Sequence, residues 1–199
     1  MHKENFAYPW WLAILLVIWL AGCLNRTEVP QFRGTDIGGA AFARDFHLAD
    51  QNGRMRSLGD FRGKVVLLTF GYTHCPDVCP TTLANLAAAV ASLGEKGKQV
   101  QVLFVTLDPA RDKPALLAQY MPFFNRDFLA LYGDERETSA AAAEFHVYYQ
   151  KQDLGSAAGY ALDHSAGIFA FDPAGRLRLH IAYDSNVDDI VHDVRLLMN

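Results

Sequence analysis

Apolar residues are spread along the chain in two ways. Val65-Val66-Leu67-Leu68-Thr69-Phe70 and residues 100–107 are nearly continuous apolar runs, as in strands covered on both faces. Elsewhere apolar positions recur at helical spacing. Leu83, Leu86, Val90 and Leu93 make one stripe within residues 81–93, and Gly94 ends it. Val187, Ile190, Val191, Val194 and Leu197 make another at the end of the chain. Pro114 opens a short helix that runs to Tyr120 and is closed by Pro122, while Asp134-Glu135-Arg136-Glu137 has the form of a capping box for a helix reaching Phe145. Two hairpins are expected. One joins Phe46-His47-Leu48 to Arg54-Met55-Arg56 around an Asn52-Gly53 turn, and the other joins residues 168–172 to 176–182 around Pro173-Ala174-Gly175.

The predicted order is hairpin, strand, helix, strand, helix, helix, hairpin, helix. A parallel crossover between the two buried strands must be right-handed. That order predicts an α/β chain with a thioredoxin-like fold and an added N-terminal β-hairpin, over residues 44–199.

The first 43 residues read differently. Residues 10–20 form an unbroken apolar run of 11, against the roughly 20 that a membrane-spanning helix requires. Such a run suits the core of a secretory signal. It ends in Leu20-Ala21-Gly22-Cys23, which resembles a bacterial lipobox, with cleavage before Cys23 and lipid on its sulfur. Residues 1–22 are therefore expected to be a signal peptide of lipoprotein type, or else an uncleaved membrane anchor over residues 7–24. Residues 23–43, with Pro30, Gly34, Gly38 and Gly39, are expected to be a tether. Either reading puts the folded part outside the cytoplasmic membrane, in a bacterial periplasm.

Composition narrows the class. With 18 Lys+Arg against 22 Asp+Glu the net charge is −4, which argues against a nucleic-acid binder. An apolar share of 51% excludes a disordered chain, and three cysteines are too few for a disulfide scaffold.

The chemistry is concentrated directly after the first buried strand, in His74-Cys75-Pro76-Asp77-Val78-Cys79-Pro80. Ligands of open α/β sheets bind beyond the carboxyl ends of the strands. Each thiol precedes a proline, which disfavours helical geometry at the cysteine. Pro80 suits the first helical position, so Cys79 is expected at the N-cap, with the positive helix end favouring thiolate. Three uses of the pair compete. A reversible disulfide is one, although thioredoxins place two residues between the cysteines and this chain places three. Structural zinc is another, but it ordinarily takes four protein ligands. Copper is the third, because thiolates select Cu(I) and imidazole also suits copper. Among the seven histidines, His164 is the candidate third ligand. It lies just before the strand at residue 168, where the fold faces the cysteine loop and thioredoxins carry a cis-proline; no proline occurs between Leu154 and Pro173.

Residues 64–80, centred on Cys75-Pro76-Asp77-Val78-Cys79-Pro80, resemble the Sco/SenC family of copper chaperones for cytochrome c oxidase assembly. The similarity takes in Phe46-His47-Leu48-Ala49-Asp50, Asp60-Phe61-Arg62-Gly63, Thr106 to Asp112, Tyr148-Tyr149 and Asp163-His164-Ser165. It implies a thioredoxin-like copper-binding domain whose ligands, for Cu(I) and Cu(II), are Cys75, Cys79 and His164. It also implies delivery to the binuclear copper centre of the oxidase's copper-bearing subunit. Another periplasmic copper chaperone or a thioredoxin-like reductant are further expected partners. Asp77 is expected to orient the loop from behind the ligands. Two other functions stay open: a thiol-disulfide reductase using Cys75 and Cys79 as a redox pair on the oxidase cysteines, or a redox or copper sensor.

Overall fold

The computed structural model of the chain describes residues 31–155 and 159–198. The apolar run at residues 10–20 and Cys23 lie outside the described residues. Among those described, no helix is long and apolar enough to cross a membrane.

The described elements, in chain order, are β1 (Thr35–Asp36), β2 (Leu48–Asp50), β3 (Met55–Arg56), β4 (Val65–Gly71), α1 (Val78–Ser92), β5 (Val100–Thr106), α2 (Pro114–Tyr120), β6 (Leu129–Tyr132), α3 (Glu135–Glu144), β7 (Tyr149–Asp153), β8 (Tyr160–His164), β9 (Ile168–Phe171), β10 (Leu177–Ile181) and α4 (Val187–Leu197). Eight strands make one mixed sheet in the order β1-β10-β9-β4-β5-β6-β2-β3, and β7 and β8 pair as a separate two-stranded sheet. Strands β4, β5 and β6 are parallel, and β9 joins β4 antiparallel. This is the expected thioredoxin-like α/β fold with its N-terminal hairpin.

The two continuous apolar runs are the central strands, with every residue of β4 and β5 buried. Leu67 and Leu68 have no exposed surface, each contributing roughly 2 kcal/mol relative to exposure. Phe70, Phe169 and Phe171 share one sheet face, where Phe145, next after α3, meets all three edge-on. Gly71 faces the other way, toward Cys79 at the start of α1. Helix α4 packs against α1 and buries the expected stripe of Ile190, Val191, Val194 and Leu197. The predicted capping box closes α3: Glu137 N–H donates to Asp134 at 2.7 Å, and Asp134 N–H donates to Glu137 at 2.8 Å.

Both predicted hairpins form, and each turns around a buried aspartate. Asp50 accepts from the amides of Asn52 and Arg54 and from Arg56 Nε at 2.8 Å. Asp172 accepts from the amides of Ala174 and Arg176 and from Arg176 Nε at 2.8 Å.

Three features differ from the sequence expectation. The folded unit begins at Phe32, within the stretch expected to be tether: β1 pairs with β10, and the amides of Arg33 and Gly34 donate to buried Asp193. Strand β6 continues the parallel sheet beyond β5, although it is only four residues long, Leu129–Tyr132. The β7–β8 hairpin occupies a stretch in which no strand was expected.

Candidate metal centre

Strand β4 ends where the start of α1 lies close against the sheet. A Cβ on Gly71 would lie 2.7 Å from Cys79 Sγ and 2.7 Å from the Phe104 ring, so the close approach requires glycine. The following loop, residues 72–77, is fastened to the exit of β5. Thr73 donates to Asp112 from its amide at 3.0 Å and from Oγ1 at 2.5 Å, and Thr106 Oγ1 donates to the same carboxylate at 2.6 Å. Asp112 is buried, and His74, half-exposed, lies beside it.

Helix α1 begins at Val78, which makes Asp77, not Cys79, the N-cap. The expectation placed Pro80 at the first helical position; it stands at the third. None of the first amides of a helix has a carbonyl partner, so a proline's missing N–H costs no helical bond at either position. One of those free amides has a direct chemical use: Cys79 N–H donates to Cys75 Sγ at 3.4 Å. The helix start thus acts on Cys75, with Cys79 inside the first turn. The Asp77 carboxylate accepts from Thr81 Oγ1 at 3.3 Å, and its own amide helps hold Cys75 as thiolate.

His164 terminates β8, paired with Tyr149, where a loop was expected. Residues 165–167 then carry the chain into β9 beside β4, and Thr69 Oγ1 donates to the Gly167 carbonyl at 2.9 Å. Gly167 has φ +153°, and a Cβ there would lie 2.3 Å from His180 Nε2. The pairing of β9 with β4 is what returns His164 to the cysteine loop across 85 residues of sequence. His164 Nδ1 lies 2.9 Å from the Ser165 carbonyl. A carbonyl only accepts, so Nδ1 carries a proton, and in the neutral ring the lone pair is on Nε2. Nε2 faces the thiols, 3.6 Å from Cys79 Sγ. The Tyr72 ring stands edge-on to the imidazole at 6.0 Å.

Cys75 Sγ, Cys79 Sγ and one His164 ring nitrogen all lie within 4.8 Å of one another. With bonds to a d10 ion of about 2.3 Å from sulfur and about 2.0 Å from nitrogen, donors of a trigonal site lie roughly 3.7–4.0 Å apart. The cluster therefore needs only a slight contraction to hold an ion. Both thiols are free, Cys75 half-buried and Cys79 buried. The Cys79 thiol donates to Cys75 and, against the opposing effect of burial, brings its pKa down to about 4; His164 and the amides of Cys79 and Asp77 add to this. The same hydrogen bond, together with burial, pushes Cys79 well above the usual thiol range. Burial pulls His164 down, but the Cys75 thiolate and the Ser165 carbonyl outweigh it and its pKa is raised.

The sequence brought out Cys75, Cys79, His164 and Asp77, and the fold gathers the first three. It did not bring out Asp112 or the Ser165 carbonyl. Asp112 differs from a solvated acid only through its burial under two threonines brought together by strand pairing, and a backbone carbonyl has no sequence signal at all.

A thioredoxin-like domain that converges two free thiols and an oriented imidazole beyond its central strands belongs, by construction, to the thiol proteins able to hold a soft metal ion. The chain is a member of a particular family of these: residues 34–199 match SCO1/SenC. The mitochondrial SCO2 homolog of Homo sapiens is 35% identical over 181 residues, covering 89% of this chain and 68% of the relative. An SCO2-like protein of Rickettsia felis is 33% identical over 173 residues, covering 86% and 80%. Among solved structures, copper-bound ScoI of Bradyrhizobium japonicum superposes with a TM-score of 0.71 at 32% identity, covering 81% of this chain and 99% of that one. Apo Sco1 of Thermus thermophilus gives 0.75 at 39% identity, covering 85% and 99%.

Proposed function

We propose that this chain binds copper through Cys75 Sγ, Cys79 Sγ and His164 Nε2 and delivers it to the binuclear copper centre of cytochrome c oxidase during assembly. The observation that carries this reading is the convergence of the three donor atoms within 4.8 Å, with the imidazole held in the tautomer a ligand needs. Soft donors and a three-membered set favour Cu(I) over structural zinc, which takes four. Two thiolates and a neutral imidazole leave one net negative charge with Cu(I) and none with Cu(II), so both states suit a site beside a helix N-terminus. Half-buried Cys75 leaves the ion open to an incoming thiol of the oxidase copper subunit, or to exchange with another periplasmic copper chaperone.

On this reading residues 1–22 are a lipoprotein signal or an anchor, and lipid on Cys23 holds the domain at the periplasmic face of the membrane. A mature mass beginning at acylated Cys23 is expected; an intact Met1 terminus would leave the anchor instead. The central test is metal stoichiometry on reduced protein. One copper per chain with sulfur and nitrogen ligation is expected, lost on substituting Cys75 or Cys79 by alanine and held only weakly on substituting His164. Retention of copper by the Cys75→Ala or Cys79→Ala variant would overturn the assignment.

The unequal thiols favour one further reading, a reductase acting on the oxidase cysteines. Cys75 thiolate would attack a partner disulfide and release one partner thiolate. Cys79, giving up its proton, would then displace the second, leaving the partner as a dithiol and this chain as the Cys75–Cys79 disulfide. His164→Ala separates the two functions. Copper delivery requires that this variant fail in oxidase assembly, whereas a reductase would still support it.

A further inference from the structure

His164 stands on a hairpin that shares no backbone ladder with the eight-stranded sheet, because β7 and β8 pair only with each other. Beside its pairing with Tyr149 on β7, its position relative to the thiols is set at the two ends of β8. At the C-terminal end, residues 165–167 lead into β9. At the other end, Tyr160 is held by the segment that leaves β5. Tyr160 Oη donates to Asp108 Oδ1 at 2.7 Å, and Arg111 Nη1 donates to the Tyr160 carbonyl at 2.9 Å. The Arg111 guanidinium lies 3.7 Å from the centre of the Tyr160 ring and is paired through Nε with Asp108 at 2.5 Å. Asp108 has no exposed surface. The same guanidinium lies 5.7 Å from the Tyr72 ring, and Tyr72 meets the His164 imidazole.

For a chain that binds copper as proposed above, and resting on that reading, we infer that Asp108, Arg111 and Tyr160 form a latch that positions His164 over the thiols. The latch sets the gap between the third ligand and the cysteine pair. None of its three side chains belongs to the ligand cluster, so they are positioning residues. Arg111 is central because it contacts both sides of the gap: backbone and ring of the His164 hairpin, and the Tyr72 ring on the cysteine loop. A guanidinium can stack on an aromatic face and donate in its plane at once, which lysine cannot reproduce. Asp108 completes the latch by accepting from Arg111 and Tyr160 together, so that losing any member loosens the other two.

Two properties test the latch, one without metal. The full chain is compared with Arg111→Gln and Tyr160→Phe, each alone and with His164→Ala. In reduced, copper-free protein, amide exchange across residues 160–164 is expected to accelerate at least tenfold in Arg111→Gln, with β4 and β5 unchanged. In competition titrations with a Cu(I) chelator, Arg111→Gln should weaken binding by about tenfold, in the range seen when outer partners of metal ligands are removed. It should do nothing further once His164 is alanine. Tyr160→Phe, which keeps the stacked ring and loses only the hydroxyl, should show the same pattern at smaller size and decides the matter if Arg111→Gln fails to fold. Unchanged exchange across residues 160–164, or equal weakening with and without His164, would overturn the latch. If the parent chain binds no copper, the function reading fails and the exchange measurement alone judges the latch.

Discussion

Cys75 and Cys79 are the same amino acid placed in opposite electrostatic positions. Cys75 lies outside the helix and receives hydrogen bonds from the Cys79 thiol and from the amides of Cys79 and Asp77. Cys79, one turn deeper and buried against Gly71 and Phe104, must keep its proton to make that donation. An ordinary thiol gains reactivity about tenfold per pH unit until its pKa near ~8.5. Cys75, at about 4, is already thiolate throughout the neutral range. Alkylation of Cys75 by iodoacetamide in reduced, metal-free protein should therefore be flat between about pH 6 and 8, with its inflection near 4. In Cys79→Ala the inflection should climb, since the largest lowering contribution is gone, and in His164→Ala it should climb less. A wild-type inflection near ~8.5 would mean that the two sulfurs do not share a proton as the geometry requires. The pairing also bears on metal uptake: Cys79 can become a ligand only by losing this proton, so uptake at neutral pH displaces it.

At the scale of elements, the site depends on how closely α1 can approach the end of β4. Gly71→Ala introduces a methyl 2.7 Å from Cys79 Sγ and from Phe104. The helix start or the Phe104 ring must move, at a cost of about 1–3 kcal/mol in urea unfolding, and copper retention should fall with the displaced sulfur. A variant with parental stability and parental copper retention would show that the approach is not tight. The same element explains what the sequence made legible. Continuous apolar runs at β4 and β5, the stripes of α1 and α4, and both Asp-centred hairpins carry their structure in local pattern. Tyr149-Gln150-Lys151-Gln152-Asp153 has no apolar face to mark β7, because that hairpin buries little and pairs with no core strand. His164 thus stood out as a loop residue near the right strand, while the strand that bears it stayed hidden. Leu129 to Tyr132 is too short to announce a period. Pro80 is compatible with the first or third helical position, so by itself it does not fix the start of α1 at Val78. Asp112 became part of the site only through register: Gly71 pairs with Thr106, which puts the loop after one strand beside the exit of the other.

For the whole molecule, the decisive contrast is between a buried scaffold and a cluster for which metal binding and disulfide formation would be exclusive. The eight-stranded sheet and its buried core are built from strand pairing and from buried apolar residues that include neither Cys75 nor His164. At the junction of the loop at residues 72–77 and α1 the sulfurs stand a few ångströms apart beside His164. A disulfide would draw them to about 2.05 Å and take both lone-pair sets away from any metal. On the proposed ligand set, copper and oxidation therefore compete for one pair of atoms. An ion bound only by the folded, reduced state at a hundredfold excess over Kd stabilises it by about 2.7 kcal/mol. For a domain of this size that corresponds to a rise in Tm of roughly 5–10 °C. Reduced protein titrated with Cu(I) should show this rise, and protein first oxidised at Cys75 and Cys79 should show none. Adding a dithiol oxidant to the copper-bound form should release one ion for each disulfide formed, and less oxidant should suffice in His164→Ala, where the imidazole no longer holds the ion. A copper-dependent rise in Tm that survives oxidation would place the bound ion away from the two cysteines, and with it would fall the claim that one switchable cluster serves both chemistries.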